Sequence, residues 1–127
     1  MIERIAACAA MLSIAGCSGG DVTENASVST DGEKLFAHCS ACHNVDKPAH
    51  NGIGPSLRGV VGRAVGRQPD FAYSGAMKSA GGVWDEARLD AYIEQPSKTV
   101  PGNRMMFAGI SDARQRKLLI DYLRSND

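Results

Sequence analysis

The 127-residue chain has no excess of charge of either sign: 14 Lys and Arg stand against 14 Asp and Glu. That balance removes the electrostatic case for nucleic acid as a partner, which needs a basic surface. Aromatic residues are scarce, at three Phe, three Tyr and one Trp. A chain of this length makes one small domain, and a small domain has a limited apolar interior. No apolar run reaches the roughly 20 residues that a bilayer-spanning helix needs, and no segment reads as a convincing strand. Four cysteines are present, but they do not form a disulfide framework: Cys8 and Cys17 fall in or just after an apolar leader, while Cys39 and Cys42 are separated by two residues.

Cys39, Cys42 and His43 form a Cys-x-x-Cys-His string. Two thiols at that spacing can form thioether bonds to the two vinyl groups of one haem, and the imidazole that follows is then held beneath the iron as its proximal ligand. One haem c, covalent through Cys39 and Cys42, is the expected cofactor. Its flat apolar body would fill the interior that so few aromatic residues leave incomplete. Haem iron with a His ligand serves electron transfer, oxygen binding or catalysis, and the string alone leaves all three open. A thiol oxidoreductase using Cys39 and Cys42 is disfavoured by His43 after the second cysteine and by the missing βαβ pattern.

Haem attachment of this kind takes place outside the bacterial cytoplasm, and the N-terminus carries a matching export pattern. Residues 1–4 form a short n-region and residues 5–15 an apolar stretch of the length of a signal-peptide core. Ile14-Ala15-Gly16-Cys17 resembles a bacterial lipobox, in which small residues precede a cysteine that is diacylated and becomes the new N-terminus. The alternative is an ordinary cleaved signal in which Cys17 is incidental. Residues 18–29 are polar, with Gly and Ser and no apolar periodicity, and read as a flexible tether. Twelve residues of coil reach about 20 Å by the rule of roughly 5–6 Å times the square root of the length. The expected organisation is a lipoprotein-type signal over 1–17, a tether over 18–29 and a haem domain over 30–127. It places the protein in the bacterial cell envelope, facing the periplasm and anchored to a membrane by lipid.

Within the haem domain, Thr30-Asp31-Gly32-Glu33 has capping-box spacing, which predicts a helix from about Asp31 to His38 that delivers Cys39 to the haem edge. Leu35 and Phe36 would face inward. Residues 44–68 carry many glycines and few periodic apolar positions and read as loop. Short helices are expected around residues 74–79 and from Asp85 to Glu94, the second capped by Asp85 and stopped by Pro96. A last helix should follow Ser111 and end near Ser125, with Leu119, Tyr122 and Leu123 inward and Ile110 stapling its start.

Other motifs stand in a fixed order around the string: Gly32-x-x-x-Phe36 before it, then Gly54-Pro55-x-Leu57-x-Gly59, Gly62-Arg63, Phe71-x-Tyr73-Ser74 and Trp84. Tyr92, Pro96 and Pro101-Gly102-x-x-Met105-x-Phe107-x-Gly109 follow. From Gly32 onward the chain resembles a class I cytochrome c of the mitochondrial and alphaproteobacterial type. The resemblance implies an all-α fold of three main helices, with short helices and loops wrapped around one haem, and a monomer.

It also implies a role for each motif residue. The carbonyl of Pro55 would accept from the far ring nitrogen of His43, fixing the ring and raising its basicity. Met105, in a loop that resembles the family's Pro-Gly-x-Lys-Met, would be the sixth ligand, with Met106 the adjacent competitor and a gap-filling core role the plain alternative. Met77 falls where the family often has Asn and would change the polarity beside the haem. Tyr73 and Trp84 would donate to a haem propionate, with Arg63 the cation near it. Without such a role the two aromatics would be core residues and Arg63 a solvated one. Tyr92 would hydrogen-bond the axial sulfur, and Asn103 replaces a frequent Thr of that network. His50 reads as a solvated loop residue, and His38 should point away from the iron.

A six-coordinate His/Met iron has no open site for substrate, and a soft thioether donor raises its potential. The resemblance therefore implies a one-electron carrier, not an enzyme, exchanging electrons through the exposed haem edge near the thioethers and Phe107. The implied donor is a bc1-type complex and the acceptor an oxidase or reaction centre. Lys34, Lys47, Lys78, Lys98 and Arg104 are the candidate steering charges. From residue 31 onward 13 basic residues face 11 acidic ones, a net of only +2, so long-range steering should be modest. The alternative is a haem protein with a labile sixth ligand that binds peroxide or small gases.

Overall fold

The computed structural model describes residues 21–127; the expected signal with Cys17, and residues 18–20, lie outside the described residues. Among the described residues there are helices and loops and no strand, only an isolated antiparallel bridge between Ala64 and Val83. None of these helices is long and apolar enough to cross a membrane.

Helix α1 spans Asp21–Phe36 and α5 spans Ala113–Arg124. They cross where Gly32 leaves room. A β-carbon on Gly32 would stand 2.6 Å from the Leu118 carbonyl oxygen and 2.6 Å from Cβ of Tyr122, so no larger residue fits without parting the helices. Phe36 and Tyr122 pack beside that contact with ring centroids 5.4 Å apart. The α1 start differs from expectation. Thr30 and Asp31 lie inside the helix instead of capping it, and residues 21–29, read as coil, are helical. Nothing between Asp21 and Asp31 is Gly or Pro, so no residue there breaks a helix that α5 anchors farther along. The helix also ends two residues before His38.

Helix α2 (Gly75–Ser79) is capped by the Ser74 hydroxyl, which accepts from the Met77 amide. Helix α3 (Glu86–Glu94) is capped by Asp85, whose carboxylate accepts from the Arg88 amide. Pro96 ends α3 as expected and also occupies the first turn of the one-turn α4 (Pro96–Thr99), where its missing N–H costs nothing. Asp112 caps α5 by accepting from Arg114 and Gln115. The buried face of α5 is Arg116, Leu119, Ile120 and Leu123, while Tyr122 is only half-buried. Leu119, Ile120 and Leu123 meet Phe36, Leu89, Tyr92 and Ile93 in a single core.

Residues 44–74 form the loop that lines one side of the interior. It is held by main-chain bonds, among them Gly62 N–H to Trp84 O (2.8 Å), Trp84 N–H to Arg63 O (2.8 Å) and Val65 N–H to Gly82 O (2.9 Å). Those three bonds fix Trp84 next to Arg63.

Candidate functional site

Behind the end of α1 the chain encloses a cavity of about 660 Å³ that opens to solvent on one side. Its volume is far larger than a packed small domain leaves by accident. Cys39, Cys42, His43, Pro55, Arg63, Tyr73, Trp84, Tyr92, Met105 and Phe107, the residues expected to serve a haem, all line it.

The Cys-x-x-Cys-His string turns tightly. Cys39 N–H donates to Phe36 O at 2.8 Å, and His43 N–H to Cys39 O at 2.9 Å. Both thiols are free and both border the cavity. Burial pushes the Cys39 thiol up, and the neighbouring Cys42 adds to that. A raised thiol is the wrong setting for a reactive thiolate, which weighs against thiol–disulfide exchange.

His43 Nδ1 lies 2.8 Å from the Pro55 carbonyl oxygen. A carbonyl only accepts, so Nδ1 carries the proton and Nε2 keeps its lone pair for a metal. Burial lowers the His43 pKa, the Arg63 charge lowers it further, and the Pro55 bond opposes both. Gly54 packs against the ring: a β-carbon there would come within 2.4 Å of Cε1.

Met105 is half-buried. The Tyr92 hydroxyl donates toward its sulfur across 3.9 Å, and burial pushes the Tyr92 pKa up to about 12. Met106 is fully exposed at 101 %, so of the two adjacent thioethers only Met105 packs against the core. The Asn103 side-chain amide bonds the loop itself, at Pro96 O, Val100 O and Met105 N–H. Met77 is buried and borders the cavity.

Arg63 is half-buried and donates to Arg58 O (3.1 Å), Ser56 O (2.8 Å) and Gln68 Oε1. None of the ion pairs among the described residues includes it. A half-buried cation at the cavity wall with neutral partners only is suited to a carboxylate supplied from within the cavity. Tyr73 stands near it, its hydroxyl accepting from Gln68 N–H at 3.2 Å, and Trp84 packs on Tyr92 at 4.9 Å between ring centroids. An apolar cavity with two thiols at one edge, a fixed imidazole and thioether, and an unpaired cation fits a haem with its propionates.

Ile53, 80 % exposed, also lines the cavity, as does Met106. Neither exposure follows from the apolar pattern of the sequence. An apolar residue between Gly52 and Gly54 was the available sign for Ile53. Of the five candidate steering charges only Arg104 borders the cavity; its guanidinium bonds the Ala72 carbonyl. Lys34, Lys47, Lys78 and Lys98 are exposed elsewhere, Lys34 in an ion pair with Asp31. His50 lies on the surface 3.7 Å from Asp46, and His38 is an exposed residue at the cavity rim.

Residues 29–127 match the family model described as cytochrome c. Cytochrome c2 of Agrobacterium tumefaciens is 46 % identical over 95 residues, covering 72 % of this chain and 86 % of that one. Cytochrome c2 of Rhodomicrobium vannielii is 45 % identical over 92 residues, covering 72 % and 74 %. Among solved structures, cytochrome cH from Methylobacterium extorquens superposes with a TM-score of 0.72 at 44 % identity, covering 76 % of this chain and 97 % of that one.

Proposed function

The chain belongs to the cytochrome c family, and from that premise we propose that it is a membrane-tethered carrier of single electrons between respiratory or photosynthetic complexes. Its one haem c, covalent through Cys39 and Cys42, supplies a ferrous–ferric couple and nothing that requires substrate to bind. The chain's residues do the rest. His43, turned by Pro55, would be one axial ligand and Met105 the other. Tyr92 orients the Met105 sulfur, and its burial keeps water from that side. Arg63, Tyr73 and Trp84 would hold the propionates. Phe107, Ile53 and Met106 form the apolar rim against which a partner would dock.

The observation that carries this reading is the pairing across one cavity of an imidazole with a fixed free nitrogen and a thioether held by Tyr92. With both His43 and Met105 holding the iron, the group would change little between oxidation states and leave no place for substrate, which suits a carrier. The test is the optical spectrum of the ferric holo-protein with and without Met105→Ala. A weak red sulfur-to-iron band that disappears in the variant supports the carrier. A high-spin spectrum indifferent to the substitution would replace it with an open iron that binds peroxide or small gases.

The tether is part of the same proposal. Cys17 in its lipobox would carry lipid, and the haem domain would work on the periplasmic side, raising its effective concentration near membrane partners such as a bc1-type donor and an oxidase or reaction-centre acceptor. Cys17→Ser should release the protein from the membrane fraction; retention of the variant on membranes would refute lipid anchoring at that residue.

A further inference from the structure

We propose that Asn103 is the positioning residue for Met105: its side-chain amide locks the ligand loop shut and so sets how readily another molecule can take the place of the sulfur. The inference rests on Met105 being the sixth ligand.

The geometry is specific. Asn103 Oδ1 accepts from Met105 N–H at 2.8 Å, an Asx turn that fixes the backbone of the residue bearing the sulfur. Asn103 Nδ2 donates to Val100 O at 2.9 Å and to Pro96 O at 3.1 Å. The amide orientation is unambiguous, because the opposite one would set Oδ1 against two carbonyls and Nδ2 against an N–H. One planar group therefore joins three points: the start of α4, Val100 just past its end, and Met105.

Beside the amide, the ligand-bearing end has one main-chain bond, Asn103 N–H to Val100 O at 3.1 Å, and the Arg104 guanidinium on the Ala72 carbonyl, neither of which reaches Met105 itself. Pro101 and Gly102 are exposed, and Gly102 has positive φ (+85°). Tyr92 reaches the sulfur only through a long O–H···S contact of 3.9 Å. On the far side the loop is closed by Ile110 N–H to Ile93 O at 2.9 Å and by Gly109, whose φ of +106° brings it against the Glu94 carbonyl. The C-terminal end is thus pinned by main chain, whereas three of the bonds at the ligand-bearing end, including the one to Met105 N–H, come from the single Asn103 side chain.

An external ligand binds only to the open loop, so its apparent affinity scales with the open fraction. Each hydrogen bond removed shifts that equilibrium by up to about tenfold. Removing three should tighten external binding by roughly ten- to a hundredfold.

The experiment is imidazole titration of ferric holo-protein for wild type, Asn103→Ala, Asn103→Ser and Met105→Ala, with midpoint potential and unfolding by denaturant on the same samples. Ser retains an acceptor for the Met105 amide and loses both amide N–H donors, leaving one shorter hydroxyl in their place. The expected order of imidazole affinity is wild type, Ser, Ala and then Met105→Ala, with the sulfur-to-iron band still visible in both Asn103 variants and the potential lower in Ala. Asn103→Ala that loses stability while binding imidazole as weakly as wild type would overturn the proposal, because the residue would then be merely structural. If Ala yields no holo-protein, a Ser variant no tighter than wild type overturns it equally. Wild type and Met105→Ala that bind alike would instead refute Met105 as ligand, and the present inference with it.

Discussion

Tyr92 donates its hydroxyl toward the Met105 sulfur across 3.9 Å while its ring stays 8 % exposed. Burial with one weak acceptor raises its pKa from 10.0 to about 12. A raised acid favours its neutral form in the fold, so its contribution is complete below pH 10 and is lost as pH rises toward about 12. That difference corresponds to at most about 3 kcal/mol. Tyr92→Phe holo-protein should therefore lack a fall in stability that wild type shows in that window. Tyr122 is also raised, but both proteins share it, so the difference between their denaturant midpoints isolates Tyr92. Parallel curves for the two proteins would show that Tyr92 ionises as freely folded as unfolded.

Gly54 sets the position of the His43 ring. A β-carbon there would lie 2.4 Å from Cε1 and 2.7 Å from Nδ1, while Pro55 O holds that same nitrogen from the other side. The ring cannot yield without giving up the bond that fixes its tautomer. Gly54→Ala should cost about 1–3 kcal/mol, as overpacking does, and lower the midpoint potential. Denaturant unfolding of the holo-protein measures the first. A variant as stable as wild type with an unchanged potential would mean that the backbone gives way instead.

What was legible in the sequence was local. The Cys-x-x-Cys-His string and the Pro-Gly-x-x-Met loop each span a few residues, so spacing alone brings their chemistry together. The cap at Asp85 acts within one turn, and α3 begins where it says, while the short helix expected around residues 74–79 forms over Gly75–Ser79. The start of α1 was not legible, because a capping-box pattern has no force where nothing upstream breaks the helix. Nor was the direction of the Asn103 amide, which depends on where Pro96 and Val100 arrive in space. Arg116 lies three residues before Leu119 and so on the inward stripe. A charged residue there reads as a surface position until its partners are known.

Those partners make Arg116 the next test. Only 6 % exposed, it bonds Asp90 at 2.7 Å, lies 3.8 Å from Glu94, and donates to Ile110 O and Ser111 O at 2.9 Å each. The Asp90 bond is the main reason its pKa is raised. It thus ties the end of the ligand loop and the start of α5 to α3. Arg116→Met should lower the thermal midpoint more than Lys117→Met, because Lys117 reaches only Asp121 across an exposed turn and such pairs add little. Equal effects of the two substitutions would show that the clamp contributes no more than a surface pair.

The rim of the cavity decides how a partner is found. It presents Ile53 and Met106, both strongly exposed, and a single candidate steering charge, Arg104. Charge-steered association gains 10- to 1,000-fold and falls steeply with salt, but that gain needs a field, and residues 31–127 carry a net of only +2. Screening lengths shrink from about 30 Å at 0.01 M to about 10 Å at 0.1 M, enough to abolish distant steering while leaving apolar contact intact. The rate of reduction by a purified bc1-type complex should therefore change less than about threefold across that range, where a strongly steered pair would lose tenfold or more. Ile53→Ser and Met106→Ser should slow the reaction at both ionic strengths alike, as loss of apolar contact does. A steep fall with salt in wild type, untouched by those substitutions, would show that docking is electrostatic and that the basic residues away from the rim guide it.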